Sequence, residues 1–260
     1  MLIDEEMQDE FGTMAAWTRE AVERLGPDHA IPAACRGSGR PSGLDWLLDR
    51  MEVERGARLL DVGAGLGGPA AYAREQAGIL PVCLEPMRPA AGASAALFDL
   101  PSLVAEGARL PIADGSFRLA WSLGTLCTTD EKAVWLAELR RVLEDGARLG
   151  LLVVMATGES FEVPWGNAFP SSQELTTLLT AAGFTVRDEA WTDDLAPTPE
   201  RWERLEDEVQ SAVREAHGAD ARYATVQDQE RRMGQLVEAG RVRGRLLVAT
   251  VVGPSTSSTG

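Results

Sequence analysis

LLDVGAGLGGPAAYA, residues 59–73, opens on two leucines and an acid, passes through four glycines in six residues and ends in an alanine-rich run. It reads as a strand, a tight turn and the start of a helix. One glycine would supply the positive φ that such a turn needs. Clearing the side chains at Gly63, Gly65, Gly67 and Gly68 together costs roughly 0.5 to 1 kcal/mol each relative to alanine in regular structure, so this turn is expected to lie against a ligand. Gly63, Gly65 and Gly68 match G-x-G-x-x-G and Glu85 lies 22 residues past Gly63, so a nicotinamide dinucleotide is formally available.

On either side of the turn the chain alternates. RLLDV is expected as a strand, residues 68–76 as a helix, ILPVCLE as a strand, residues 88–97 as a helix, and SLVAEG as a strand. FRLAWSL, a helix over 129–143, the apolar strand ARLGLLVV, a helix opened by Ser171, and FTVRDEAW continue the pattern. Thr128 with Glu131 and Ser171 with Glu174 fit reciprocal capping boxes. This order predicts an α/β fold: a doubly wound, Rossmann-like, mostly parallel sheet with helices on both faces.

Three segments fall outside the alternation. In residues 4–25, Met7, Phe11, Met14, Val22 and Leu25 recur at helical spacing until Gly26-Pro27, and Leu44, Leu47, Leu48 and Met51 mark a second helix with Ser42 as its cap. Over 199–240, the stripe Trp202, Leu205, Val209, Val213, Ala216 and then Tyr223, Val226, Met233 and Val237 predict a helical pair inserted before the last strand, GRLLVATVV. The expected organisation is an amino-terminal helical lid over 1–43, a catalytic domain over 44–253 with the insertion as a further lid, and a frayed tail over 254–260.

A net charge of −15, from 40 acidic and 25 basic residues, repels a phosphate backbone, so nucleic acid is not an expected partner. The partner expected instead is a small molecule. Cys35, Cys83 and Cys127 are too scattered for zinc or a disulfide framework, and a reducing cytoplasm is the compartment expected. MLIDEEMQDEF is acidic where a signal peptide is basic, and no apolar run reaches membrane-spanning length. Neither metal nor membrane is expected, and the oligomeric state is open.

Asp61 distinguishes between cofactors. It closes the strand two residues before the first glycine, where a pyrophosphate would bring negative charge onto a carboxylate. S-adenosylmethionine carries a sulfonium and an α-ammonium and no phosphate, and suits an acidic turn with bare amides. Glu85 ends the next strand, where two oxygens can accept both ribose hydroxyls. Glu106 ends the third strand and the small Gly107 comes after it, where a carboxylate and an amide can read an adenine edge.

LLDVGAGLGGPA, the acid in CLEPM, EGARLPIADGSFRLAWSL and LAELRRVLEDGARLGLLVV together resemble the class I S-adenosylmethionine-dependent methyltransferases, in particular the small-molecule group with an LPF-D-SFD segment. The resemblance runs from about Leu44 to Val154. It implies a seven-stranded sheet with an antiparallel last strand. It also implies that Asp61, Gly63, Ala64, Gly65 and Gly67 approach the methionine part and ribose, that Glu85 holds the ribose, and that Pro86 or Met87 lies against the adenine. Glu106 and Gly107 would read the adenine, and Ser122 and Leu123 would line the pocket through their backbone. Glu106 replaces the usual aspartate, Arg118 the acid of SFD, and Ala147 a glycine.

Methyl transfer from a sulfonium has an activated leaving group, so a base is required only when the acceptor must lose a proton. His29 lies in the entry loop. His217, at the end of the first inserted helix, is the better placed catalytic candidate. Trp17, Cys127, Trp165 and Phe169 are candidate walls for an apolar or aromatic acceptor, Cys127 without nucleophilic duty. Arg36 is a candidate for the cofactor's carboxylate. A nicotinamide-dependent oxidoreductase and a cofactor-binding protein without transfer activity are the competing readings.

Overall fold

Strand β1 (Arg58–Val62) is buried over its last four residues and is flanked by β2 (Leu80–Glu85) and β4 (Phe117–Leu123), both parallel to it. The computed structural model describes residues 5–37, 39–158, 161–164 and 166–253, with side chains from Phe11 onward. The chain winds outward from β1 through β2 to β3 (Ser102–Val104), then returns to β4, β5 (Leu143–Ala156), β7 (Val242–Val251) and the edge strand β6 (Phe184–Trp191). The order is β3-β2-β1-β4-β5-β7-β6, with β7 antiparallel to both its neighbours, as expected. The reversal between β1 and β4 makes their carboxyl ends diverge, and ligands of open α/β sheets bind in the crevice so formed.

Both sheet faces are covered, which is why β1 and β4 read as nearly continuous apolar runs. On one face Leu60, Val62, Leu84 and Leu149 pack against α6 (Lys132–Val142) and α7 (Ser172–Ala181), through Leu136, Leu139, Leu175 and Leu179. On the other, Leu59 and Trp121 meet Leu44, Leu47 and Met51 of α3 (Pro41–Arg50), with α4 (Gly68–Ala77) beside it. Helix α5 (Arg88–Phe98) packs on β2 and β3.

The helices outside the alternation share one apolar core. Met14, Trp17 and Val22 of α1 (Glu5–Leu25), Ala30, Ala33 and Ala34 of α2 (Ala30–Ala34), Val209 and Val213 of α8 (Glu200–His217) and Val226 of α9 (Ala221–Glu238) cluster with Ala70, Ala71 and Phe98. The amino-terminal segment and the insertion, far apart in sequence, therefore form one cap over the β1–β2 side.

Some expectations of detail are corrected. Ser42 does not cap α3: the helix begins at Pro41, whose fixed φ and missing N–H suit the first position, behind Arg40. Thr128 does not cap α6 either, because residues Leu126–Thr128 form a 3-10 turn and the helix starts at Lys132, the Thr129 hydroxyl accepting from the Glu131 amide at 3.0 Å. Ser171 does cap α7, accepting from the Glu174 amide. Strand β3 stops at Val104, so Glu106 and Gly107 stand in a loop. The five-residue α2 had no forecast. The tail 254–260 and Trp165 lie outside the described residues.

Helix α2 is seated on the glycine turn. A Cβ on Gly68 would lie 2.4 Å from the Ala34 carbonyl carbon and 2.5 Å from the Cys35 amide nitrogen, backbone on both counts. Gly68→Ala must therefore displace α2 or α4. We expect a loss of about 1 to 3 kcal/mol, read as a lower melting temperature together with faster amide exchange over residues 30–37. An unchanged melt and exchange pattern would contradict this packing.

Candidate active site

The crevice is built around two buried acids. Asp61 is 2% exposed at the end of β1, and its Oδ2 has no hydrogen-bond partner in the protein. Burial, with a smaller contribution from the charge of Glu85, pushes its carboxyl up to about 7. The Trp121 indole, on the residue paired with Asp61 across β1 and β4, pulls the other way. That indole Nε1 itself lacks a partner in hydrogen-bond geometry.

Glu85 is equally buried but satisfied. Its Oε2 accepts from the Gly65 amide at 2.8 Å and its Oε1 from the Met87 amide at 3.0 Å. Burial raises its carboxyl, the two amides lower it, and the charge of Glu106 raises it. A carboxylate has about four acceptor sites, so each oxygen keeps room for a further donor. Pro86 and Met87 follow half-buried.

The four glycines divide the work. Gly65, at φ +54°, has no atom within 4 Å of where a Cβ would stand, so its face of the turn is open to a ligand. The others are cleared for neighbours: Gly63 for Thr125, Gly67 for Ser94 and Gly68 for α2. Ala64 is buried, and its amide and that of Gly63 both donate to the Leu84 carbonyl. Gly107 is likewise a packing glycine, since a Cβ there would overlap the Trp135 ring.

Ser122 is fully buried and donates to the Val62 carbonyl at 2.8 Å, with Thr125 Oγ1 also against it. This ties the carboxyl ends of β1 and β4 where the crevice opens. Leu123 is buried in the core beside it. Cys127 donates its thiol to the Gly124 carbonyl at 3.2 Å, and burial raises its pKa, which disfavours a thiolate nucleophile. The Ala168 amide donates to the Cys127 carbonyl at 2.6 Å. That bond brings Phe169, 6.3 Å from Phe161, to the loop after β4.

Two expected site residues lie elsewhere. Trp17 stacks on His217 with ring centroids 4.4 Å apart, inside the cap's core. His217 Nε2 meets Glu20 of α1 at 3.3 Å. It stands eleven residues, about 16 Å of helix, beyond Glu206 of the same helix, whose charge acts on Cys35. His29 is also a clasp, its Nε2 2.7 Å from Glu208 of α8. Both histidines thus join the two halves of the cap rather than face the crevice. Arg36 is ion-paired with Glu230 of α9.

Glu206 and Cys35 escaped the sequence reading. Cys35 follows α2, and burial, Glu206 and Asp61 all raise its thiol. The signal for Glu206 was available: it stands four residues after Trp202 and three before Val209, on the apolar stripe itself.

Residues 60–151 match the family model described as a methyltransferase domain. The methyltransferase GfsG of Streptomyces halstedii is 29% identical over 125 residues, 44% of each chain. A chloroplastic tocopherol O-methyltransferase of Arabidopsis thaliana is 24% identical over 205 residues, 66% of this chain and 59% of its own. The chain thus spans about half the length of the curated relatives it matches. The crystal structure of the cyclase SpnF superposes with a TM-score of 0.66 at 22% identity, covering 81% of this chain and 80% of that one, which shows a shared fold. The glycine turn and the two crevice acids thus lie inside the stretch that matches a methyltransferase domain.

Proposed function

We propose that the protein transfers the methyl group of S-adenosylmethionine to a small apolar or aromatic acceptor. The observation that carries this reading is Asp61: a buried carboxylate oxygen without a partner, beside an open glycine turn, suits a cationic ligand group and opposes a pyrophosphate. Asp61 would meet the α-ammonium, the Gly65 face and Glu85 the ribose, Glu106 the adenine, and Arg36 the carboxylate. The bound sulfonium would supply an activated methyl. The chain's own contribution is then to hold the acceptor in line and exclude water, a positioning effect worth up to about 7 to 11 kcal/mol in favourable cases. Phe161, Phe169 and Cys127 support an apolar acceptor wall, and residues 1–43 and 199–240 serve as its lids.

A second reading, cofactor binding without transfer, draws support from the histidines, both engaged in the cap. Incubation with methyl-labelled cofactor and a panel of phenols, amines and carbon acids separates the two: label in any acceptor selects the enzyme. Calorimetry tests the cofactor itself. S-adenosylhomocysteine should release binding heat and NAD(P) none, and the reverse result would end this reading.

Asp61 makes two pH predictions. Its folded-state carboxyl, at about 7 against an ordinary 3.8, holds a proton that the unfolded chain releases, so its contribution to stability is present below pH 4 and lost as pH rises through 7. Asp61→Asn should therefore raise the melting temperature of the empty protein at pH 8 by about 3 °C or more, with little change at pH 4, while abolishing homocysteine-adduct binding. In the wild type an ammonium beside Asp61 favours the ionised form, so binding near pH 6 should release a proton. Titration in buffers of different ionisation enthalpy reads this directly, and identical heats in all of them would refute it.

His217→Asn should lower the melting temperature by loosening the contact with Trp17 and Glu20, yet leave cofactor affinity within about threefold. Loss of binding at an unchanged melt would return His217 to the site.

A further inference from the structure

The stretch 105–116 joins β3 to β4 with neither helix nor strand of its own. It begins at the crevice. Val104 pairs with Glu85 across β3 and β2, and the Ala105 amide donates to the Glu85 carbonyl at 3.2 Å. Glu106 comes next, half-buried, and its carboxylate has no hydrogen-bond or ion-pair partner among the described residues. The Arg109 amide closes a turn on the Glu106 carbonyl at 3.0 Å, and the Trp135 ring of α6 packs against Gly107 inside that turn.

Beyond the turn, one pair of side chains on α6 fastens the stretch. Arg141 Nη2 donates to the Leu110 carbonyl at 3.0 Å, and Nη1 to the Ile112 carbonyl at 2.8 Å and to Asp114 at 2.6 Å. Its Nε and Nη2 also donate to the two oxygens of Glu138, at 2.9 and 2.8 Å. Glu138 Oε2 in turn accepts from the Leu110 amide at 2.9 Å, so Leu110 is gripped at both its N–H and its carbonyl. Every donor of the guanidinium is engaged. A planar fork can meet this set of acceptors, whereas a lysine ammonium, a point charge on a flexible stem, cannot.

The geometry points to Arg141 as a positioning residue for the adenine end of the cofactor: by fixing Leu110 and Ile112 it holds the turn of Glu106 and Gly107 beside Glu85, where the Glu106 carboxylate can accept from the adenine amino group. This rests on the cofactor reading above and adds to it a residue that acts only through the loop. Without Arg141, the turn is held at the crevice by the Ala105 hydrogen bond and by the Trp135 contact. Neither of these fixes the direction of the Glu106 side chain.

Calorimetry with two probes tests the placement: S-adenosylhomocysteine, and S-inosylhomocysteine, in which an oxygen replaces the 6-amino group and a carboxylate meets an acceptor instead of a donor. The wild type should prefer the adenosyl probe about tenfold or more. Glu106→Gln should bring the ratio near one, because its amide can meet either group. Arg141→Gln should weaken the adenosyl probe about fivefold and leave the inosyl probe within about twofold, and in the Glu106→Gln background it should change the ratio no further. Inosyl binding certifies that each variant is folded. Arg141→Lys keeps the charge without the fork and should behave as Arg141→Gln does; it decides alone if the glutamine variant fails to fold. A lysine that restores the preference, or variants that weaken both probes equally, overturns this inference, as does a wild type that binds both probes alike. A wild type that binds neither probe overturns the cofactor reading as well.

Discussion

An acid buried at the end of a central strand, with one carboxylate oxygen left without a partner, is the constraint around which this molecule is arranged. Keeping Asp61 ionised in the empty crevice costs on the order of 4 kcal/mol, by the displacement of its carboxyl from 3.8 to about 7. A fold tolerates that cost only if the surroundings cannot relax to hydrate or neutralise the group. The surroundings are accordingly fixed from every side. Ser122 ties the ends of β1 and β4, Gly63 and Ala64 are pinned to the Leu84 carbonyl, and α2 is seated on Gly68. Each contact is local and modest in energy, and together they keep the crevice from closing on itself.

The cap joins α1 and α2 to the helical pair placed before the last strand, beside α4 and α5. Those pieces are about 170 residues apart in sequence. They are joined by an apolar core through Trp17, Val209, Val213 and Val226, and by polar clasps at its margin, His29 with Glu208 and His217 with Glu20. Exposed pairs of this kind add little stability; their effect is to fix how one piece sits on the other. The apolar core supplies the cohesion.

The alternation of short apolar runs with helical spacing was enough to read the sheet, because β1 and β4 are strands whose burial writes itself into composition, while the edge strand β6 alternates buried or half-buried with exposed positions over most of its length. The bounds of FRLAWSL and FTVRDEAW coincide with β4 and β6. What could not be read has a physical reason in each case. AIPAA carries no periodic contrast, since all five residues are apolar and the helix is little more than one turn long, and α2 became visible only through the backbone it presses on Gly68. The cap of α6 was misplaced because Thr128 with Glu131 has the capping-box spacing, whereas Thr128 is drawn into the 3-10 turn Leu126–Thr128 and the helix starts only at Lys132. His217 looked catalytic from its place at a helix end, where the stacking partner Trp17, some 200 residues earlier, is invisible to local reasoning.

The glycines show how the same residue type carries two kinds of information. Gly107 has the position of an adenine reader, yet the Trp135 ring fills the space a side chain would take, so packing alone requires glycine there. Gly63, Gly67 and Gly68 are explained in the same way by Thr125, Ser94 and α2. Only Gly65 faces open space, and its amide is the one that holds Glu85. Neighbouring side chains and backbone thus account for three of the four glycines of this turn, so a glycine count by itself does not measure ligand contact.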